Sequence, residues 1–421
     1  MASSSESSTS TAVVDWKKEK ICEEIEQTMG FKILGTIAKG KFSEITYGKC
    51  IFGVTDVCFK LVVGKNEEHE KQLENEVKIL KELSKDDETR HKRHANGIII
   101  VMDFFEKTKR WMLMELGEEK NFEDFLLTQQ AKNGPIQEQG KSSQEADRVV
   151  SIPECRPIFL QLLTISQFLL QKKISHRQIS PKHLIFVERG GKKVLKLIDF
   201  KDAVKQQEYD EIWKLDDLKY DDHRKDRTIY RSPEETMGVK WDRNSGDTWS
   251  IAIILCSLLY KRPVFTARDD YNLLKQIIEV CGKPSTDLIE QSKFKDIFFK
   301  VEHETRKRNH ENKTMKEWRM KTEEEMMSDG FVIEAPDNTL AKFEFSPFVA
   351  EQTESPEIRD LANFNCDIKH LLEINPERRY RADTPLEVGF FLNRKLLAIE
   401  FEDTDPEYFQ KCIDAMAGFS F

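Results

Sequence analysis

The spacing of hydrophobic positions changes along the chain, from short apolar runs near the N-terminus to helical periodicity further on. A short charged segment, Lys17–Met29, predicts a lead-in helix. Short apolar runs then predict strands. These runs are Phe31–Ile37, Ile45–Phe52, Asp56–Val63, Ile98–Phe105 and Trp111–Leu116. Among them, Glu68–Leu83 repeats apolar residues three and four positions apart, which predicts a single helix with one buried face.

After residue 116 the pattern predicts mainly helices, with two short strands at Leu184–Phe186 and Val194–Ile198. The predicted helices are Phe122–Gln130, Ile158–Lys172, Trp249–Leu259, Tyr271–Val280 and Cys366–Leu372. Asn133–Arg148 is polar and predicts a loop, whereas residues 285–360 are rich in charge and poor in pattern, which favours a partly mobile insertion.

These changes divide the chain into a small β-rich lobe, residues 30–116, and a larger helical lobe, residues 117–395, that carries the charged insertion at about 285–360. Before them lies a segment, residues 1–29, made of a Ser/Thr-rich stretch predicted to be disordered and the lead-in helix. Residues 396–421 form a C-terminal extension. Two lobes of this kind predict an α+β fold with a ligand-binding cleft between them.

Composition narrows the classes of function. The formal net charge is −9, and an acidic excess argues against a protein that binds nucleic acid directly. The longest nearly apolar run, Ser250–Tyr260, is shorter than the roughly 20 residues that a membrane span needs. No apolar signal segment is visible, and the eight cysteines are scattered without metal-ligand spacing. We therefore expect reduced thiols, no membrane partner, and a location in the cytoplasm or nucleus.

A series of short motifs follows in a fixed order. It comprises Ile37–Ile45 around Gly40, Val57-Cys-Phe-Lys60, Glu76 on the predicted helix, His176–His183, Leu197-Ile-Asp-Phe-Lys201, Ser232-Pro-Glu234, Asp247-Thr-Trp-Ser250 and Asn375–Arg379. In order and spacing, over about residues 30–395, this series resembles the eukaryotic protein kinase family. The resemblance implies the bilobal protein-kinase fold, with a β-rich N-lobe, a helical C-lobe and ATP as the ligand.

The resemblance also implies roles for individual residues. Lys60 would reach the α and β phosphates and pair with Glu76, and Asp199 would hold one Mg²⁺. Met114 stands at the gatekeeper position. The residues implied to bind the nucleotide are Ile37, Gly40, Ile45, Cys58, Lys60, Glu76, Met114, Glu115, Leu116, Ile185 and Asp199.

The motif His176–His183 departs from the family pattern H-R-D-L-K-P-x-N at three positions that move the phosphoryl group. Gln178 replaces the catalytic Asp, and an amide has no basic site for the substrate proton at neutral pH. Ser180 replaces the Lys that steadies the γ-phosphate. His183 replaces the Asn that binds a second Mg²⁺, and imidazole is a poor ligand for this hard cation. No catalytic residue of this motif is therefore intact, and ATP is expected to bind weakly, with little support for Mg²⁺.

Lys201 replaces the Gly of the D-F-G motif. One hypothesis is that its charge partly substitutes for the metal and permits nucleotide binding without a divalent cation. The alternative is that the side chain points to solvent.

Residues with structural roles in the family are retained. Glu234 and Arg379 would form an ion pair, and Asp247 would hold the backbone of the His176-Arg177 turn. An Arg directly before the Ser232-Pro-Glu234 triplet, here Arg231, is a feature that resembles the branch containing the cyclin-dependent and mitogen-activated kinases. The segments around residues 112–126 and 176–187, with Trp241, look most like the Cdc2-like (LAMMER) kinases, although the LAMMER signature itself is absent.

The structural residues are thus retained, whereas the residues that move the phosphoryl group are replaced. This contrast predicts a pseudokinase, which would act as a scaffold or allosteric regulator of protein partners and retain residual ATP binding. Two alternatives stay open: a weakly active Ser/Thr or dual-specificity kinase, and an interaction module that binds no nucleotide. Thr228 and Tyr230 lie in the activation segment and are candidates for phosphorylation by another kinase.

Overall fold

The computed structural model describes residues 18–40, 43–51, 56–63, 67–84, 97–99, 101–104, 111–118, 120–131, 152–189, 192–208, 229–240, 244–306, 314–334 and 356–380. Several predicted features lie outside the described residues. They are the disordered segment 1–13, the loop Asn133–Arg148, Thr228, Trp241 and the extension 396–421. The described residues form two compact units. The first unit contains the described residues between 1 and 87 and between 99 and 119, together with Asp199–Asp202. The second unit contains the other described residues.

The first unit is a five-stranded antiparallel sheet with two helices, in agreement with the strands predicted from short apolar runs and with the two predicted helices. The strands are β1 (Phe31–Lys39), β2 (Ser43–Cys50), β3 (Asp56–Val62), β4 (Val101–Phe104) and β5 (Trp111–Glu115), in the spatial order β1-β2-β3-β5-β4. The helices are α1 (Lys18–Met29) and α2 (Glu67–Leu83). The β-rich fold predicted for this part of the chain is confirmed, and β4 begins three residues later than the apolar run suggested.

The two faces of this sheet have different partners. Because side chains alternate along a strand, Val57, Phe59 and Leu61 of β3 share one face with Trp111 and Leu113 of β5. That face packs against Ile21 and Ile25 of α1 in one hydrophobic cluster. The opposite face carries Cys58 and Lys60, the residues that the motif comparison singled out.

The second unit is mainly helical. Its helices are α3 (Phe122–Ala131), α4 (Ile152–Gln171), α5 (Pro233–Met237), α6 (Ser245–Leu259), α7 (Asp270–Cys281), α8 (Thr286–Gln291), α9 (Lys295–Phe298), α10 (Glu323–Ser328) and α11 (Pro356–Leu371). Its strands form three antiparallel pairs: β6 (Ile174–Ser175) with β9 (Val204–Lys205), β7 (Leu184–Arg189) with β8 (Lys192–Leu197), and β10 (Phe299–Arg306) with β11 (Thr314–Met320). Together with the sheet of the first unit, this confirms the α+β protein-kinase architecture predicted for the chain.

Three helices begin at least four residues earlier than the sequence predicted, and one of them is α6, which starts at Ser245 rather than Trp249. Helix α4 starts at Ile152 rather than Ile158 and continues through Pro157, although proline usually interrupts a helix. Helix α11 begins at Pro356 rather than Cys366. The prediction missed the first turns because they contain only isolated apolar residues among polar ones. Helix α6 is buried along its whole length, as its uninterrupted apolar run predicted.

The charged segment that was expected to lack pattern contains regular structure in its described part. Between residues 285 and 334 it forms α8, α9, the β10–β11 hairpin and α10. Trp318 of β11 and Met326 of α10 are buried, and Trp318 donates its indole N–H to Glu290. Arg319 makes two 2.7 Å hydrogen bonds to the Glu325 carboxylate. Buried apolar residues, among them the adjacent pairs Leu288-Ile289 and Phe298-Phe299, thus anchor a segment that is otherwise rich in charge. Its status as an insertion relative to other proteins of the fold stays a prediction.

No helix among the described residues combines the length and hydropathy needed to cross a bilayer.

Replacing Ile25 by Ala tests the contribution of α1 to the first unit. Ile25 is fully buried against the sheet, so the substitution should lower the free energy of unfolding by about 2–5 kcal/mol. Gln27→Ala, at an exposed position of the same helix, should change it by about 0.5 kcal/mol or less. Chemical denaturation followed by circular dichroism measures both. Equal small effects would show that α1 contributes little to the stability of the unit.

Candidate functional site

Strand β3 presents Cys58 and Lys60 on the sheet face opposite α1. In the antiparallel pairing, Lys60 lies across from Ile45 of β2, and Cys58 lies across from Met114 of β5. Paired residues of adjacent strands point to the same side of a sheet, so these four side chains share one face. The structure therefore brings together one charged and three apolar residues of the predicted nucleotide set.

The remaining predicted nucleotide residues are spread over both units. Ile37 is half-buried at an irregularity of β1, next to Ala38, which pairs with Ile45. Gly40 donates its backbone N–H to Ser43 O at 2.7 Å and so closes the β1–β2 turn. Glu115 and Leu116 lie at and just after the end of β5. Ile185 lies on β7 of the second unit.

The Lys60 ammonium is held by two carboxylates of the first unit. Its Nζ lies 2.5 Å from Oε2 of Glu76 on α2 and 2.8 Å from Oδ1 of Asp199. Burial by itself would lower the pKa of Lys60, but the negative charges of Asp199 and Glu76 outweigh it, so the pKa is raised. Lys60 is therefore fully charged at neutral pH. The sequence predicted the Lys60–Glu76 pair, and the geometry agrees with it.

Helix α2 also fixes the backbone that follows Asp199. The second carboxylate oxygen of Glu76 accepts the N–H of Phe200 at 3.2 Å, and the Asn75 side-chain amide donates to Lys201 O at 2.9 Å. Phe200 is fully buried. Asn75 and Glu76, which are adjacent on α2, thus hold the Phe200 N–H and the Lys201 carbonyl of the short 3₁₀ turn Phe200–Asp202.

The Lys201 side chain is placed on Asp199. Its Nζ lies 2.5 Å from Oδ2, while Oδ1 of the same carboxylate is bonded to Lys60. The alternative in which Lys201 simply points to solvent is wrong, although the side chain keeps 32% exposure. We name Lys60, Glu76, Asp199 and Lys201 the four-charge cluster. The residue types could be read from the motifs, but the engagement of both Asp199 oxygens by ammonium groups could not be predicted from them.

The loop His176–His183 in the second unit is anchored by a buried carboxylate. Asp247 at the start of α6 accepts the backbone N–H of His176 at 2.7 Å and that of Arg177 at 2.8 Å. Burial raises the pKa of Asp247 to about 7, against the opposing effect of these two hydrogen bonds. The positive φ of Arg177, 67°, is the conformation that this anchoring fixes.

Within this loop, His183 turns back onto its own backbone. Its Nδ1 lies 2.6 Å from Gln178 O. Since a carbonyl oxygen only accepts hydrogen bonds, Nδ1 carries the proton and has no lone pair for a metal. Ser180 Oγ lies 3.4 Å from the same nitrogen. The three substituted positions therefore form a local hydrogen-bonded arrangement that sequence reasoning did not anticipate.

Residues 31–391 match the sequence model of the family described as "Protein kinase domain". The chain belongs to the protein kinase family.

Individual relatives carry kinase names. The chain is 26% identical over 280 residues to "Probable serine/threonine-protein kinase dyrk2" of Dictyostelium discoideum, which covers 66% of this chain and 27% of the relative. It is 24% identical over 369 residues to "Dual specificity protein kinase YAK1" of Saccharomyces cerevisiae, covering 85% and 41%. A relative named "Probable inactive serine/threonine-protein kinase", from Dictyostelium discoideum, is 28% identical over 147 residues, 35% of each chain. The chain thus spans less than half the length of these relatives.

Two of these relatives carry the names of a dyrk2 kinase and of the YAK1 kinase. The Cdc2-like group suggested by the motif comparison is not among these three relatives, so that finer assignment stays a prediction.

Protein kinases use Mg²⁺ with ATP, and the residues of this kinase fit the metal poorly. Mg²⁺ requires oxygen ligands at about 2.0–2.1 Å in octahedral geometry. Lys201 already binds Oδ2 of Asp199, and the imidazole of His183 is a poor ligand for this hard cation. Among the described residues, no group of three or more His, Cys, Asp and Glu side chains is arranged to hold a metal ion. The assignment of Asp199 as a metal ligand stays a prediction from the sequence.

The raised pKa of Asp247 predicts a specific pH dependence. Because the folded-state pKa, about 7, lies above the ordinary aspartate value of 3.8, protonated Asp247 is favoured by folding. Its contribution is fully present below about pH 4 and is lost as the pH rises to about 7. The free energy of unfolding of the wild type should therefore fall relative to that of Asp247→Asn, which cannot ionise, over this interval.

Urea denaturation of both proteins at several pH values between 4 and 8 measures this difference. Asp287→Asn, at an exposed position of α8, controls for the loss of an acidic group as such. A constant difference between wild type and Asp247→Asn across the range would contradict the prediction.

Proposed function

We propose that this kinase domain does not transfer phosphoryl groups and acts instead as a scaffold or allosteric regulator with residual ATP binding. The observation that carries the proposal is the loop His176–His183, where an amide stands at the position of the base and His183 is hydrogen-bonded to Gln178 O. A general base contributes about 10²–10⁴ in rate, and Gln178 cannot accept the substrate proton. The contacts that Lys and Asn would supply to the γ-phosphate and the metal are lost as well.

The parts of the fold that hold shape are intact, which supports a binding role. Arg379 makes hydrogen bonds of 2.6 and 2.8 Å to the Glu234 carboxylate, and both side chains are fully buried. Asp247 holds the backbone of His176 and Arg177. Breaking a buried ion pair costs about 3–5 kcal/mol, so such residues are needed for folding whether or not the domain is catalytic.

A weakly active Ser/Thr or dual-specificity kinase is the second candidate. The Lys60–Glu76 pair is closed, and relatives with kinase names support it. Positioning and electrostatics supply most of the catalysis of phosphoryl transfer, so a domain with these groups in place could keep a low rate. The relative named inactive supports the first candidate instead.

The partners and location are proposals of the same kind. We expect protein partners rather than nucleic acid or membrane, a location in the cytoplasm or nucleus, and Tyr230 as a candidate site of phosphorylation. The charged segment with the β10–β11 hairpin is a candidate docking surface.

Phosphotransfer by the purified full chain tests the proposal. With radiolabelled ATP, Mg²⁺ and a basic protein substrate, the wild type should give no labelling above that of Lys60→Met. Reintroducing the family residues in Gln178→Asp, Ser180→Lys, His183→Asn should raise labelling above both, by about 10² or more if the base is the main deficiency. Gln207→Asp, at an exposed position, is the control for an added carboxylate.

Wild-type labelling that is lost in Lys60→Met would overturn the proposal in favour of the weakly active kinase. Labelling that persists equally in both proteins would indicate a contaminating activity, which a mock purification identifies.

A further inference from the structure

The Lys201 ammonium is bound to one oxygen of Asp199, the carboxylate that the family resemblance assigns to the metal. We propose that Lys201 replaces the divalent cation, so that this domain binds a nucleoside triphosphate without Mg²⁺. The inference deepens the residual ATP binding proposed above and rests on it. It concerns the first unit, to which all four members of the four-charge cluster belong.

The position of Lys201 is built into the unit rather than reached by a free surface side chain. Its carbonyl oxygen is held by Asn75 on α2, at 2.9 Å, and the preceding Phe200 N–H is held by Glu76. The positive φ of Asp199, 67°, turns the chain so that a side chain two residues later can return to the Asp199 carboxylate. The backbone therefore aims Lys201 at Asp199.

The charge of Lys201 balances the net charge of the four-charge cluster. Two ammonium groups, Lys60 and Lys201, face two carboxylates, Glu76 and Asp199, so the four-charge cluster is neutral. With Gly at position 201 the cluster would carry one negative charge, which repels the phosphates of a nucleotide unless a cation is added. Lys201 supplies that cation from the chain itself. An ammonium group also binds phosphate oxygens by charge-assisted hydrogen bonds.

The same arrangement disfavours Mg²⁺. A metal bound to Oδ2 of Asp199 would have to displace the ammonium now 2.5 Å from that oxygen, or lie close to it and be repelled. Lys201 keeps 32% exposure, against 16% for Asp199, 11% for Lys60 and 1% for Glu76, so Lys201 is the most accessible member of the cluster. A phosphate group can therefore approach Lys201 without dismantling the buried Lys60–Glu76 pair.

Direct binding of ATP to the purified full chain tests the inference. The titration is followed by calorimetry in EDTA and again in excess Mg²⁺. For the wild type, the dissociation constant in EDTA should equal or be lower than that in Mg²⁺. Lys201→Met should weaken binding in EDTA by about tenfold or more, as expected for one charge-assisted hydrogen bond, and Lys201→Arg should largely retain it.

Lys32→Met, which removes an exposed lysine of β1 in the same unit, is the matched control and should bind as the wild type does. Lys201→Gly should restore the family pattern, with ATP binding that now improves when Mg²⁺ is added. Circular dichroism confirms that each variant is folded, and the wild-type comparison of EDTA with Mg²⁺ requires no variant.

The inference is overturned if the wild type binds ATP only with Mg²⁺, or if Lys201→Met binds as tightly as the wild type in EDTA. It is also overturned if the wild type binds no ATP under either condition, a result that leaves the absence of phosphotransfer untouched. Conversely, phosphotransfer by the wild type would contradict the proposed function while metal-free binding could still be observed, so the two failures are distinguishable.

Discussion

The first unit depends on the requirement that buried charges be paired. Lys60 projects from β3 into a nearly water-free position, where an uncompensated ammonium would cost several kcal/mol. Glu76 and Asp199 compensate it, and in doing so they fix helix α2 and the short turn Phe200–Asp202 against the sheet. One electrostatic constraint thus positions three separate pieces of chain. Lys201 satisfies the remaining oxygen of Asp199 and completes the neutralisation.

In the second unit a buried carboxylate holds the loop whose sequence departs from the family pattern. The Asp247 carboxylate accepts the backbone N–H groups of His176 and Arg177, and the buried Glu234–Arg379 ion pair is formed as well. Within the loop, His183 contacts Gln178 O. The residues that hold the loop in place are thus different from the residues that depart from the family pattern.

Much of the fold could be predicted from local pattern, because short apolar runs mark the buried strands β3 and β5, and the three- and four-residue spacing in α2 marks its buried face. The pattern failed where burial is sparse. The segment around Trp318 and Met326 is anchored by a few apolar residues among many charges, and the start of α4 lies before a proline. At the site, motif order predicted the Lys60–Glu76 pair. It could not predict that Lys201 returns to Asp199, since this depends on the left-handed backbone at Asp199 and on Asn75.

The attachment of the Phe200–Asp202 turn to α2 has a consequence for inhibitor design. A ligand that required the Asp199-Phe200 segment to rotate outward would have to displace the Phe200 ring from the space that it fills. Here that rotation would break the hydrogen bonds from Phe200 to Glu76 and from Asn75 to Lys201, and would expose a fully buried ring. Selective chemical probes for this domain should therefore be sought among molecules that leave the segment in place and carry an anionic group toward Lys201.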